Sequence, residues 1–236
     1  PSKIFYDTLI QELHIPSSIQ ELKEGWCSQT PNLTNIIVSS NHKFFKIYQN
    51  QFLIGKSNEK EENYDILYFT RRNIEGVINI PSTIKTINSY SFECCKSLEN
   101  VEFSKDSKIK IIQKYAFSKS SIKSIKIPKS VSIIENNSFF KCNNLEHVDF
   151  EDESELYSIG KYAFSLTAIS SISIPKKVKS IESNTFFNCI NLTNVNFPND
   201  SMLKIIKDSA FKNLNLKSIK IPKNVSIIED NAFIDC

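Results

Sequence analysis

The 236-residue sequence has little arginine, little glycine and no long apolar run. Its two arginines, Arg71 and Arg72, are adjacent, and the formal net charge is only +3. Because recognition of guanine and stacking on bases both favour arginine, this composition argues against a nucleic-acid partner. No stretch approaches about 18 uninterrupted apolar residues, which excludes a membrane-spanning helix in this sequence. The first residues also lack the basic start and apolar block of a secretory signal.

The motifs of common catalytic and metal sites are missing as well. The four glycines form no phosphate-binding loop, and no nucleophile elbow occurs. The six cysteines include no Cys-x-x-Cys pair, which argues against a zinc site. The three histidines, His14, His42 and His147, share no motif with a nucleophile or a carboxylate. We therefore predict a protein that is not an enzyme and that uses no metal or other cofactor.

What the sequence does contain is a repeat. The dipeptide Ile-Pro recurs every 47 residues, beginning at Ile80, Ile127, Ile174 and Ile221. Phenylalanine and cysteine keep the same interval, and a second set of phenylalanines falls between the first. The unit is therefore two half-repeats of 23 and 24 residues. The phenylalanines of both sets are Phe92, Phe117, Phe139, Phe164, Phe186, Phe211 and Phe233.

Each half-repeat carries an apolar core whose last two positions lie two residues apart, which is the alternation of a strand. Nine such cores lie between Ile10 and Ile221. They predict a parallel stack with one strand per coil, because a coil of about 23 residues cannot bury its own apolar face. The recurring pair of a small residue and an aromatic, such as Ala163-Phe164, predicts a column of core rings rather than an aromatic ligand site.

The residues carry a family resemblance. The pattern I-x-x-I-x-I-P-K-x-V-x-x-I-x-x-x-x-F-x-x-C-x-x-L-x-x-V-x-F runs from Ile122 to Phe150 and again from Ile169 to Phe197. It resembles the treponemal-type leucine-rich repeats of BspA-like proteins, over about residues 3–38 and 75–236. The resemblance implies a right-handed, curved repeat solenoid with a parallel β-sheet on its concave face. It also implies surface-exposed proteins that adhere to host cells, matrix proteins or other microbes.

The chain is predicted to be a single leucine-rich-repeat array over residues 1–236, with about nine coils. It opens in mid-repeat and closes at Cys236 without a following strand or the polar cap that solenoids need, so we expect a fragment of a longer array. Residues 39–74 interrupt the repeat. There, residues 52–54 and 64–69 predict an inserted β-hairpin with a polar turn. Two interpretations stay open: the hairpin covers a change in curvature, or it contacts a ligand.

Four cysteines lie one repeat apart. Equivalent residues two coils away are separated by about 10 Å, whereas a disulfide needs Cα atoms within about 7 Å. We therefore predict that they do not bridge one another and are buried as small apolar residues. These cysteines are Cys95, Cys142, Cys189 and Cys236.

The outward positions of the predicted strands are the candidate ligand-binding surface, which we call the strand face. Its side chains are mostly small and polar, and a flat sheet suits a large partner better than a small molecule. The alternating charges Glu102, Lys126 and Asp149 fit either partner binding or cross-strand pairing for solubility. The strand face consists of two ladders: Asn100, Ser124, His147, Ser171, Asn194 and Ser218, and Glu102, Lys126, Asp149, Ser173, Asn196 and Lys220.

Two function hypotheses follow. The first is a non-enzymatic protein- or glycan-binding module of an adhesin-like cell-surface protein, with host cells or matrix as candidate partners. The alternative is a cytoplasmic leucine-rich-repeat scaffold that mediates protein–protein contacts. The preference for the cell surface comes from the resemblance alone, since a fold does not fix function.

Overall fold

A computed structural model of the chain shows a parallel-strand β-solenoid of about nine turns. It describes residue 5 and residues 8–236. Residues 3, 4, 6 and 7 of the predicted first repeat lie outside the described residues. The prediction of a repeat solenoid with parallel strands is confirmed. Within the described residues, no helix is long and apolar enough to cross a bilayer.

The described chain contains eighteen strands. They are β1 (Glu12–Ile15), β2 (Asn35–Val38), β3 (Phe45–Tyr48), β4 (Phe52–Gly55), β5 (Ile66–Thr70), β6 (Glu75–Ile80), β7 (Thr86–Ile87), β8 (Ser97–Phe103), β9 (Ile111–Ile112), β10 (Ser124–Ile127), β11 (Ile133–Ile134), β12 (His147–Phe150), β13 (Ser158–Ile159), β14 (Ser171–Ser173), β15 (Ser180–Ile181), β16 (Asn194–Asn196), β17 (Ile205–Ile206) and β18 (Ile227–Ile228).

The predicted apolar cores form the longer strands, which pair in parallel in three groups. These groups are β1-β2, then β6-β8-β10-β12, then β14-β16. Alternation decides which side chains are buried: in β10, Ile125 and Ile127 are buried while Lys126 between them is exposed. Stacking these buried residues from coil to coil produces a continuous core that no single coil could form.

The ninth predicted strand is wrong. Residues 216–221 form no strand in the structure. Their apolar residues Leu216, Ile219 and Ile221 are only partly buried against the core. This last coil has a packed neighbour on one side only within the described chain, so its apolar residues are less completely covered than those of the inner coils.

A second parallel sheet, absent from the sequence-based expectation, follows the first around each coil. It consists of two-residue strands in two groups, β7-β9-β11-β13 and β15-β17-β18, and β5 joins the first group. Each of these two-residue strands except β18 places one fully buried isoleucine in the core, as β11 does with Ile134. The two sheets together enclose the apolar interior of each coil.

The phenylalanines form the predicted column. Seven rings from Phe92 to Phe233 stack face to face, with centroids 4.7–5.8 Å apart and interplanar angles of 3–8°. Each ring residue lies between two residues in the left-handed conformation; for Phe164 these are Tyr162 and Leu166. At this corner the backbone N–H groups point along the stacking direction of the coils. The Phe164 N–H therefore donates to the carbonyl of Thr185 on the next coil at 3.0 Å.

All six cysteines are free thiols, as the spacing predicts for the four that recur. Cys95, Cys142 and Cys189 are fully buried, and burial raises the pKa of Cys142 to about 12. Cys236 is exposed, so the prediction of burial is wrong for this residue. It lies on the last coil, which no other coil covers within the described chain.

The insertion is a three-stranded antiparallel unit, one strand larger than the predicted hairpin. β4 pairs with β5 as predicted, and β3 adds to the other side of β4. The turn between β3 and β4 has both Gln49 and Asn50 in the left-handed conformation, as a type I′ turn requires. Because β5 also pairs with β7, the insertion extends the short-strand sheet rather than standing apart from it.

At the insertion the apolar core separates into two clusters, and a buried arginine connects the coils before the insertion with the coil after it. Arg72 donates to the carbonyl of Cys27 at 3.3 Å on one side and to that of Tyr90 at 3.0 Å on the other. Beside it, the buried carboxylate of Glu93 accepts the backbone N–H of Gln29 at 2.7 Å. These contacts hold the N-terminal coils to the rest of the array.

Candidate functional site

The strand register brings most of the predicted strand face together. Asn100, Ser124 and His147 lie side by side on β8, β10 and β12. Lys126 lies beside Asp149 on the same strands. All of these side chains are exposed or half-exposed, because they alternate with the buried residues of the core.

The remaining strand-face residues fall into two groups. Ser171 pairs with Asn194, and Ser173 with Asn196, on β14 and β16, and all four are exposed. Ser218 and Lys220 are exposed as well, but they lie in the segment that forms no strand. The structure therefore places ten of the twelve predicted residues on strands and the other two beyond the last strand of this surface.

The strand face extends one strand further than the sequence analysis recognised. Val77 and Asn79 of β6 lie in register with Asn100 and Glu102, and Val77 is 51% exposed. A β-bulge at Gly76, whose φ is +66°, shifts the register at the start of β6. The alternation of Ile78 and Ile80 was the signal that could have identified this strand's outward residues.

The alternating charges do not neutralise one another. Among the residues that the structure describes, no ion pair within 4.0 Å joins Glu102, Lys126 and Asp149. A pair does form at the edge of the same sheet, where Lys123 contacts Glu99 at 3.2 Å. The expectation of cross-strand pairing is therefore met beside the strand face and not on it, which leaves three solvated charges on the strand face.

Two adjoining concavities lie near β12 and β14, two long strands that are not hydrogen-bonded to each other. β12 and β14 are neighbours in space but belong to different hydrogen-bonded groups. A concavity of about 280 Å³ at this break is lined by strand-face residues that include His147, Asp149 and Ser171. A larger one of about 540 Å³ lies at the carboxyl ends of β12, β14 and β16, and Ser173 and Phe150 line both.

The lysines that follow the strands are engaged by acids, at least in the coil after β14. Lys176 contacts Asp200 at 2.6 Å, and Lys177 contacts Glu155 at 2.8 Å. The hydrogen bond with Lys176 lowers the pKa of Asp200, and the bond with Lys177 lowers the pKa of Glu155. These two lysines are therefore poor candidates for attracting an acidic glycan, because their charges are already balanced.

The outer side of the insertion carries a smaller cluster of cationic and aromatic groups. The ammonium of Lys46 lies 4.3 Å from the centre of the Tyr64 ring, and that of Lys56 lies 5.6 Å from it. The polar turn is tied back because buried Asp65 accepts both the N–H and the hydroxyl of Ser57. This anchored turn and the pairing of β5 with β7 favour a role in shaping the array.

The histidines have structural surroundings. His14 bonds Glu12 at 2.9 Å on the surface, and His147 is exposed on the strand face. His42 is buried, and its Nδ1 accepts the N–H groups of Phe44 and Phe45 at 3.2 Å. In the described part of the chain, no cluster of three or more histidine, cysteine, aspartate or glutamate residues could hold a metal ion.

Two parallel sheets that run along the coils, an isoleucine or leucine core and a stacked phenylalanine corner together define a leucine-rich-repeat solenoid. A family model described as the BspA type leucine-rich repeat region matches residues 1–59, 67–165 and 110–236, in six copies. The chain belongs to this BspA-type leucine-rich-repeat family. No curated protein matches the chain by sequence.

Solved structures share the fold. A leucine-rich repeat protein from Eubacterium ventriosum is 27% identical, with a TM-score of 0.80 over 98% of this chain. The chain spans 60% of the length of that protein. The leucine-rich repeat protein of T. pallidum is 22% identical, with a TM-score of 0.59, covering 78% of this chain and 82% of its own. The pneumococcal vaccine antigen PcpA is 20% identical, with a TM-score of 0.56, covering 82% of this chain and 48% of its own.

Proposed function

We propose that this array is a non-enzymatic binding module of an adhesin-like cell-surface protein, and that the strand face grips a protein or glycan partner. The observation that carries the proposal is the set of unpaired charges, Glu102, Lys126 and Asp149, on a surface of otherwise small polar side chains. Neutralised charges would serve solubility alone, whereas solvated charges of both signs can steer and orient a large partner.

Family membership supports the general class. Repeat solenoids present extended surfaces that suit protein interactions, and the strand face is such a surface. The concavity on the strand face is only about 280 Å³ and is lined by polar residues such as His147, Asp149 and Ser171, which favours a large partner over a small molecule. The cell-surface location and the identity of host or matrix partners remain proposals that rest on the family.

The test compares the array with the triple variant Glu102→Ala, Lys126→Ala and Asp149→Ala. Binding to epithelial cells and to immobilised fibronectin, laminin and collagen should weaken at least about tenfold, equivalent to about 1.4 kcal/mol. The matched control, Asp106→Ala, Lys161→Ala and Asp230→Ala, removes the same net charge from exposed sites off the strand face. Both variants should unfold at the same urea concentration as the parent, and equal binding by all three proteins would overturn the strand face as the site.

Location is tested separately, with serum raised against the array. Labelling of intact, unpermeabilised cells of the source organism would support the surface module. Labelling only after permeabilisation would instead support the cytoplasmic scaffold, in which the same face mediates contacts between intracellular proteins.

A further inference from the structure

The larger of the two concavities has a built apolar floor. From Ile80 onward, the last apolar position of each repeat core alternates between isoleucine and phenylalanine, and here Ile174 lies between Phe150 and Phe197. Ile174 is buried at 1% exposure, whereas the two phenylalanines are half-exposed. The shorter side chain leaves a depression between two rings, which Pro175 and Pro198 also line. Its volume of about 540 Å³ accommodates more than one side chain.

The rim of this concavity has an excess of negative charge. Lys176 is neutralised by Asp200, and Lys177 by Glu155. Glu151 and Glu153 also line the concavity and have no ion-pair partner within 4.0 Å in the described chain. One carboxylate oxygen of Glu151 accepts the backbone N–H of Lys129 at 2.9 Å, which fixes the group in place at the rim.

The apolar floor and the acidic rim each restrict the chemistry of a ligand for this concavity. Half-exposed rings and prolines favour an apolar side chain that loses its contact with water on binding. Two solvated carboxylates at the rim favour a cation beside it and repel an anion. Acidic glycans and acidic peptides are therefore disfavoured. A neutral glycan could stack on the rings, but it would leave both carboxylates without a cation.

We propose that this concavity is the anchoring pocket of the array, and that its occupant is a protein segment with an apolar side chain flanked by lysine or arginine. The pocket opens onto the strand face through Ser173, which lines both concavities. This inference rests on the proposed function, because it identifies the partner chemistry of the same surface. A partner would lie along the strand-face ladders and insert its apolar residue between Phe150 and Phe197.

The test uses blocked pentapeptides of defined sequence, Ala-Lys-Leu-Lys-Ala and its acidic counterpart Ala-Glu-Leu-Glu-Ala, with cellobiose as a neutral sugar probe. Amide chemical shifts of the isotope-labelled array report where each probe binds. The basic peptide should shift residues 150–154, 173–177 and 196–200. The double variant Glu151→Gln and Glu153→Gln should weaken its binding about fivefold. The variant Ser173→Trp, which fills the mouth, should abolish it.

The control for the charge change is Asp106→Asn. Asp106 lies 47 residues before Glu153, at the equivalent position one repeat away and outside the lining of the concavity. This variant should bind the basic peptide like the parent. Binding of the acidic peptide or of cellobiose in preference to the basic peptide would overturn the proposal. So would binding of the basic peptide elsewhere, or unchanged binding by the double variant. The triple strand-face variant could still lose cell binding in that case, so the two failures are distinguishable.

Discussion

The thiol of Cys142 donates a hydrogen bond to the carbonyl oxygen of Phe117, one coil earlier, across 2.9 Å. Cys189 repeats the contact with Phe164, and Cys236 repeats it with Phe211, both at 3.0 Å. The recurring cysteine therefore adds a thiol bond to the carbonyl of the phenylalanine one coil earlier, and the Phe117 carbonyl also accepts the backbone N–H of Ser120 at 3.0 Å. This is a structural role, and it explains the spacing without any disulfide or metal.

Thiol reactivity should follow this burial. The raised pKa values, about 12 for Cys27 and Cys142 and about 11 for Cys95 and Cys189, keep these groups protonated and unreactive near pH 8. Ellman's reagent should therefore titrate one thiol in the native array, the exposed Cys236, and six in urea. The variant Cys236→Ser should lose the native signal. Rapid reaction of several thiols without denaturant would contradict the structure.

The phenylalanine column should dominate stability. Replacing Phe164 with alanine removes a fully buried ring that stacks on Phe139 and Phe186, and we expect a loss of about 3–5 kcal/mol in the free energy of unfolding. The matched control is Phe187→Ala, since Phe187 is only half-buried and should cost clearly less. Urea unfolding followed by circular dichroism measures both. An unmoved midpoint for Phe164→Ala would show that the column does not hold the coils together.

Stability should also depend on pH through Glu93. Burial raises the pKa of this carboxyl above its ordinary value of 4.5, so the folded protein holds the proton at pH values where the unfolded chain has released it. As far as this group is concerned, the free energy of unfolding should therefore be greatest below pH 4.5. It should fall as pH rises through the raised pKa of the folded state.

The variant Glu93→Gln cannot titrate and should flatten this fall. Urea midpoints of parent and variant, measured at intervals from pH 4.5 to pH 8, give the difference directly. Parallel pH profiles for the two proteins would show that burial does not raise the pKa of Glu93. The control Glu99→Gln changes an exposed carboxylate and should leave the profile of the parent intact.

The left-handed corners store backbone strain that glycine would relieve. Lys141 is exposed and has a φ of +58°, a conformation that costs an ordinary side chain about 1–2 kcal/mol. We expect Lys141→Gly to raise the thermal midpoint, because the backbone bond from Lys141 N–H to the Ser165 carbonyl is retained. The control Lys161→Gly lies at an exposed position outside the left-handed set and should lower it. Destabilisation by both substitutions would contradict the strain argument.

The sequence predicted the elements that repeat in register and missed those that depend on neighbours. Strand alternation around Ile125 and the periodic Phe139 were sufficient to place the long strands and the ring column. Two-residue strands such as β11 carry no recognisable period, so the second sheet could not be identified from alternation. Residues 216–221 have the full apolar pattern yet form no strand, and nothing in that pattern distinguishes them from the segments that do.

The candidate site was predictable in position but not in detail. Outward residues such as Lys126 follow directly from alternation, and ten of the twelve predicted residues lie at outward strand positions. Whether Lys126 pairs with Asp149 depends on side-chain conformations that spacing does not determine. The break between β12 and β14 has no local sequence signal. The alternation of Phe150, Ile174 and Phe197 is visible in the sequence, but the concavity between them forms only when whole coils pack.

The ring column, the thiol bonds and the Ile-Pro dipeptides all repeat every 47 residues. This shared register affects how the number of repeats can change in evolution. Removing residues 128–174 would join Ile127 to Pro175 and restore the same dipeptide, with Phe117 stacked against Phe186 at the usual offset within the repeat. Array length can thus grow or shrink by whole units without redesign of the interior. Each such event exchanges one set of outward residues for another, so recombination within the gene can alter the exposed surface while the scaffold persists.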